Sequence, residues 1–170
     1  MLLFGIIIFM KVAVIGHRNV KYSLELYSFI SNLLEILIND QDVDTFLFGS
    51  KSNFNDICYD VVSDLLNQYK FIKRVYLRAA YKYINDDYEK YLLSFYEATE
   101  YPNKVDNAGA LSYIKRNEAM IDMSDLVLVY YNKDIKSKNR FGKMVSGTAH
   151  AVKYAEQTNK PIINVADLLH

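Results

Sequence analysis

The sequence predicts an α/β fold, a Rossmann-like doubly wound parallel sheet forming a single three-layer domain. Three observations carry that expectation. Short, continuously apolar runs recur along the chain, longer segments with helical spacing separate them, and 170 residues suit one domain. A chain of this length buries a core without disulfide or metal staples. Apolar runs without polar alternation are strands covered on both faces, as in a parallel sheet.

The elements follow in order. The opening run Met1–Met10 is apolar, but Lys11 ends it well short of the roughly 20 residues a transmembrane helix needs. No basic stretch precedes it and no small-residue cleavage site follows it, so it does not read as a signal peptide. Residues 1–10 are expected to be an apolar extension or the start of the first strand, with residues 11–170 forming the domain. The first buried strand is Val12–Ile15, closed by Gly16. Across Ser23–Asn39, Leu26, Phe29, Ile30, Leu33, Leu34 and Leu37 recur at helical spacing. A second strand, Thr45–Phe48, leads to a helix over Asn55–Tyr69, with Ile57, Val61, Val62, Leu65 and Leu66 on one face. Arg74–Leu77 is the third strand. Tyr81–Asn107 is rich in Tyr, Asp and Glu and breaks the pattern. A short helix over Asp86–Tyr96 fits there, and the remainder reads as a long loop at the carboxyl edge of the third strand. A helix over Ala110–Met123, a fourth strand Leu126–Tyr131, a helix Val145–Thr158 and a fifth strand Pro161–Val165 complete the chain. The right-handed crossover rule winds these into one layered sheet.

Composition narrows the function classes. Lys plus Arg number 20 and Asp plus Glu number 20, so the chain lacks the basic excess that grips a nucleic-acid backbone. The single cysteine, Cys58, excludes an internal disulfide framework and fits a reducing cytoplasm. No Cys/His group has metal-ligand spacing, and no cofactor is expected.

Ligands of open parallel sheets bind beyond the carboxyl ends of the strands. After the first strand stand Gly16, His17 and Arg18. Gly16 permits a tight turn and close backbone approach, and Arg18 can grip a phosphate or carboxylate bidentately. After the second stand Gly49, Ser50 and Lys51, small residues with a cation at the start of a helix. Ser146, Gly147 and Thr148 open a later helix and form another such turn. A bland account exists for each: a lone glycine after a strand is a turn, and Ser-Gly-Thr is an N-cap. Convergence of three such turns on one sheet edge favours a site. Between the last strands, Lys133, Lys136, Lys138, Arg140 and Lys143 form either a solvated loop or a basic lid. The helix before the fourth strand carries Arg116, Asn117 and Glu118, with Tyr113 and Met120 one turn from Arg116. Asp122 and Asp125 flank its end, where acids are disfavoured, which suggests that they hold Arg116 or a neighbouring turn.

In order, these pieces resemble the SLOG superfamily, the Rossmann-like proteins named for the Smf/DprA and LOG families, and most of all its YpsA-like branch. The resemblance rests on Val14–Arg18; on Phe46–Gly49 with Phe54; on Arg116-Asn117, Met120, Asp122 and Ser124-Asp125 before Leu126–Tyr131; and on Ser146–Thr148, Ala151, Tyr154-Ala155 and Pro161–Asn164. It implies a nucleotide-like ligand held between the glycine turns and the Arg116 helix. It also implies pairing through helices into a homodimer or larger homo-oligomer. Some members release a free base from a nucleoside monophosphate, and others sense nucleotide-derived signals, including ADP-ribose-type molecules in antiphage defence. The enzymes carry Pro-Gly-Gly-x-Gly-Thr-x-x-Glu, whereas here the Pro-Gly-Gly portion is absent and the glutamate position is Ala151. The expectation is therefore a cytoplasmic sensor or sequestering protein for a nucleotide-derived small molecule, with neither nucleic acid nor membrane as partner. The alternatives are an N-glycosidase using Glu118 or His17, and a protein-interaction module presenting Tyr81–Tyr101.

Overall fold

The computed structural model describes residues 8–135 and 146–169. Its strands are β1 (Met10–Gly16), β2 (Val43–Phe48), β3 (Lys73–Leu77), β4 (Ala98–Glu100), β5 (Leu126–Tyr130) and β6 (Ile162–Asn164). Its helices are α1 (Leu24–Asp40), α2 (Asn53–Leu65), α3 (Asp86–Leu93), α4 (Ser112–Met123), α5 (Gly147–Gln157) and the short α6 (Val165–Leu168). Single 3-10 turns cover Asn103–Val105 and Gly109–Leu111. The six strands form one parallel sheet in the order β4-β3-β2-β1-β5-β6. This is the predicted Rossmann-like α/β architecture.

Strand alternation sorts the core into two halves. Val12, Val14, Phe46, Phe48 and Leu128 point to the face covered by α1 and α2, where they meet Ile30, Leu34, Phe54, Cys58 and Val61. Ala13, Ile15, Leu47, Val75, Val127 and Val129 point to the opposite face, against Met120 and Ile121 of α4 and Ala151 and Ala155 of α5. Successive strand residues face opposite ways, so a strand buried on both sides must be apolar throughout. Serines cap the first two helices: Ser23 accepts from Leu26 N at 3.1 Å and Ser52 from Asn55 N at 3.1 Å.

Several boundaries differ from expectation. Ala98–Glu100, expected within a loop, is a strand at the sheet edge. It pairs with β3 through Val75↔Ala98 and Leu77↔Glu100. It has no apolar run to announce it, and pairing with the open edge of β3 makes it a strand. Helix α2 starts two residues earlier than expected, at Asn53 after its cap Ser52, and ends at Leu65 rather than Tyr69. Helix α4 begins at Ser112, preceded by a 3-10 turn. Val165, expected to end the last strand, opens α6. At the amino end, Met10 already belongs to β1, and its N–H donates to Asp42 O at 3.0 Å.

Candidate functional site

The sheet order reverses between β1 and β5, and the first glycine turn lies there. An added Cβ on Gly16 would fall 2.6 Å from Phe54 Cγ and 2.7 Å from Phe54 Cβ. The close approach that Gly16 permits is made by the Phe54 ring at the start of α2, which fills the side where a Cβ would stand. His17 is buried and bridges the ends of the two strands. Its backbone N–H donates to Tyr130 O at 3.2 Å, and its ring Nε2 accepts from Asn132 N–H at 3.0 Å. Burial pushes the His17 imidazole below its ordinary value, while the nearby Asn132 carbonyl, 3.1 Å from Nε2, pulls the other way. The neutral ring is the favoured form. Arg18 is exposed, and its carbonyl accepts from Asn53 N at 3.1 Å.

The second turn is occupied from within. Ser50 Oγ donates to Asn55 Oδ1 at 2.6 Å, and Ser52 caps the α2 amides at Asn55 and Asp56. Lys51 is exposed. A Cβ on Gly49 would fall 2.7, 2.8 and 2.9 Å from Cδ, Nη1 and Nε of Arg116. Gly49 is thus a glycine so that the Arg116 side chain can lie across it.

Arg116 is only 2% exposed, on the α4 face turned toward the sheet. Its Nη1 donates to the carbonyl of Gly49 and, at 3.5 Å, to that of Leu77; Nε donates to Asn117 Oδ1 at 3.1 Å. Its guanidinium carbon sits 5.8 Å from the Tyr113 ring centroid. No carboxylate among the described residues lies within ion-pair distance of it. Burial pushes the guanidinium down to about 10, partly offset by Tyr76 and Tyr113, so it remains a cation at neutral pH. A buried cation without a counter-charge is costly, and structures keep one where something else supplies the charge.

The acids near Arg116 in sequence are engaged elsewhere. Glu118 is buried, with Oε1 3.0 Å from His150 Nε2 and Oε2 2.8 Å from Lys115 Nζ. Burial would raise its carboxyl, but hydrogen bonds from Lys115 and His150, with Lys104 nearby, hold it below the ordinary range. It serves the α4–α5 interface, not Arg116. Asp122 pairs with Lys104 at 2.6 Å, and Asp125 accepts from Lys11 N at 2.8 Å. Of the two expected duties, holding Arg116 or a neighbouring turn, the structure shows the second: Asp122 holds the turn at Asn103–Val105 through Lys104, and Asp125 holds the start of β1.

At the third turn, Ser146 is the N-cap of α5, accepting from Ala149 N at 3.1 Å, while His150 N donates to Ser146 O at 3.0 Å. Among the described residues, nothing lies where a Cβ on Gly147 would project, and Gly147 is not left-handed. Among the described residues no acceptor serves the amides of Gly147 and Thr148, the position where a helix end leaves donors spare. Thr148 is buried, and Ala151 one turn on is fully buried in the core against the sheet. Of the basic loop, Lys133 is exposed, and Lys136, Lys138, Arg140 and Lys143 lie outside the described residues.

Sequence reasoning missed one residue here. Arg78 directly follows β3. Its Nη1 donates to Tyr81 O at 2.7 Å, and its Nε is the one buried side-chain polar atom among the described residues without a partner. An unmet buried donor costs about 1–3 kcal/mol. An arginine just past a strand was visible in sequence, but its pairing was not. A cleft of about 830 Å³ between α1 and α2 beside Tyr27 and Asp60 and one of about 480 Å³ beside β6 both lie away from the three turns.

A six-stranded, doubly wound parallel sheet with glycine turns along its carboxyl edge defines the class, a Rossmann-like α/β domain. Within that class, a family model described as the YspA SLOG family matches residues 13–168, and the chain belongs to that family. No curated protein matches the chain. Membership points to a nucleotide-related binding or glycosidase-like role.

Proposed function

We propose that the protein binds a nucleotide-derived small molecule through its phosphate. It would act as a sensor or sequestering protein, with antiphage signalling by ADP-ribose-type molecules as one setting. The observation that carries this reading is Arg116, a buried guanidinium seated on Gly49 with no carboxylate partner among the described residues. A phosphate supplies the missing charge and can accept two parallel hydrogen bonds from the planar fork. The amides at the start of α5, which have no acceptor among the described residues, add a second source of positive potential on the same sheet edge.

Two features weigh for binding over turnover. Ala151 stands where the family's enzymes place glutamate, and its methyl has no proton chemistry. Glu118, the nearest substitute in sequence, is turned toward Lys115 and His150 and held ionised.

The test is mass spectrometry of small molecules released on denaturing protein purified from cells, followed by calorimetric titration of the compound identified. A nucleotide or ADP-ribose derivative that binds the parent and not Arg116→Met supports the reading. Steady release of free base from nucleoside monophosphates, abolished in Glu118→Gln, would replace it with the N-glycosidase. Absence of any released compound, with no thermal shift from nucleotides, would leave the interaction module.

A further inference from the structure

We propose that Arg78, at the end of β3, holds a second anionic group of the same ligand, which is therefore a diphosphate-bearing nucleotide rather than a nucleoside monophosphate. The proposal rests on the nucleotide reading above and narrows it.

The two arginines reach the same strand end. Arg116 Nη1 lies 3.5 Å from the carbonyl of Leu77, and Arg78 is the next residue. The backbone N–H of Arg78 donates to Glu100 O at 2.8 Å, which fixes the root of the side chain in the β3–β4 ladder. Its guanidinium lies 5.8 Å from the Tyr101 ring centroid, with Nη1 on the carbonyls of Tyr81 and Lys82. Those contacts leave Nε buried and without an acceptor.

Among the described residues, no carboxylate lies within ion-pair distance of either cation. Glu97 is committed to Arg74 at 2.7 Å and Asp106 to Lys82 at 2.6 Å. Tyr76, on the same strand, feels both charges: burial pushes its phenol up, while Arg116 and, more weakly, Arg78 pull it down. A single phosphate satisfies one such fork. Two forks with no counter-charge suit two linked phosphates, each meeting planar N–H donors.

The experiment is calorimetric titration of the full chain, at fixed ionic strength, with inorganic phosphate, inorganic pyrophosphate, AMP and ADP. The proteins compared are the parent, Arg78→Gln, Arg78→Lys and Arg116→Met, each checked for an intact thermal transition. The parent should bind pyrophosphate over phosphate, and ADP over AMP, by about tenfold or more. Arg78→Gln should erase that preference and leave phosphate and AMP affinity within about twofold of the parent. Arg78→Lys keeps the charge without the fork and should fall between; if Arg78→Gln fails to fold, this variant decides. Equal affinity of the parent for pyrophosphate and phosphate, or a preference that survives in the Arg78 variants, overturns the proposal and leaves the nucleotide reading standing. Nucleotides binding no more tightly than the matching inorganic anions would instead sink the nucleotide reading, while an Arg78-dependent pyrophosphate preference would keep the second anion subsite.

Discussion

Replacing Arg116 with methionine separates a functional charge from a structural one. Methionine is unbranched, similar in length and adaptable in packing, so it fills the channel over Gly49 without adding bulk. Two opposing terms then set the stability of the empty protein. Removing the cation relieves the cost of burying it. That cost is about 3 kcal/mol, from a guanidinium pushed down to about 10 at 1.36 kcal/mol per decade of proton affinity. Against this, the carbonyls of Gly49 and Leu77 and the Asn117 side chain lose their donor, and unmet buried acceptors cost about 1–3 kcal/mol each. Three such acceptors total about 3–9 kcal/mol, which equals or exceeds the relief, so the empty protein should lose between about 0 and 6 kcal/mol, at roughly 2–4 °C in Tm per kcal/mol for a domain of this size. Ligand affinity should fall by about 2–5 kcal/mol, because one partner of a buried charge pair is gone. Differential scanning calorimetry measures the first quantity and isothermal titration the second. Affinity within about twofold of the parent, together with a large loss of stability, would show that Arg116 is a structural brace and refute the reasoning.

Further outcomes follow from the same geometry. Gly16→Ala pushes a methyl against the inner atoms of Phe54 and should destabilise the protein by about 1–3 kcal/mol. Gly49→Ala meets only the far end of the Arg116 side chain, so calorimetry should show a smaller loss of stability and titration a clear loss of affinity. Gly147→Val meets none of the described residues and starts from a backbone that is not left-handed, so the empty protein should keep its stability to within a few tenths of a kcal/mol. If the start of α5 cradles a phosphate, that same variant loses binding; unchanged affinity would place the cradle at Gly49 and Ser50. The His17 imidazole binds its proton less readily folded than unfolded, so the stability it contributes is present above about pH 6.5 and declines as pH falls below it. Thermal melts between pH 7 and 5 should show that decline, and His17→Gln should flatten it.

Much of the scaffold was legible along the chain because its causes are local. Val12–Ile15 and Leu126–Tyr130 are apolar on both faces, which only a covered central strand requires. Leu26, Ile30, Leu34 and Leu37 announce the buried stripe of α1, and Ser23 and Ser146 mark helix starts by a bond three residues long, whereas the start capped by Ser52 was expected two residues late. The glycine turns were also visible as turns. Their reasons were not. Gly16 is a glycine because of Phe54, and Gly49 because of Arg116, which is 67 residues away. Ala98–Glu100 becomes a strand only because β3 offers an open edge, since its own residues carry little strand signal. Glu118 stands two residues from Arg116 yet faces the other way, because residues i and i+2 of a helix do not share a side. Sequence alone therefore determined the layered sheet and the edge on which a ligand site belongs. Tertiary structure decided which cations at that edge lack a partner, because charge pairing joins residues that only folding brings together.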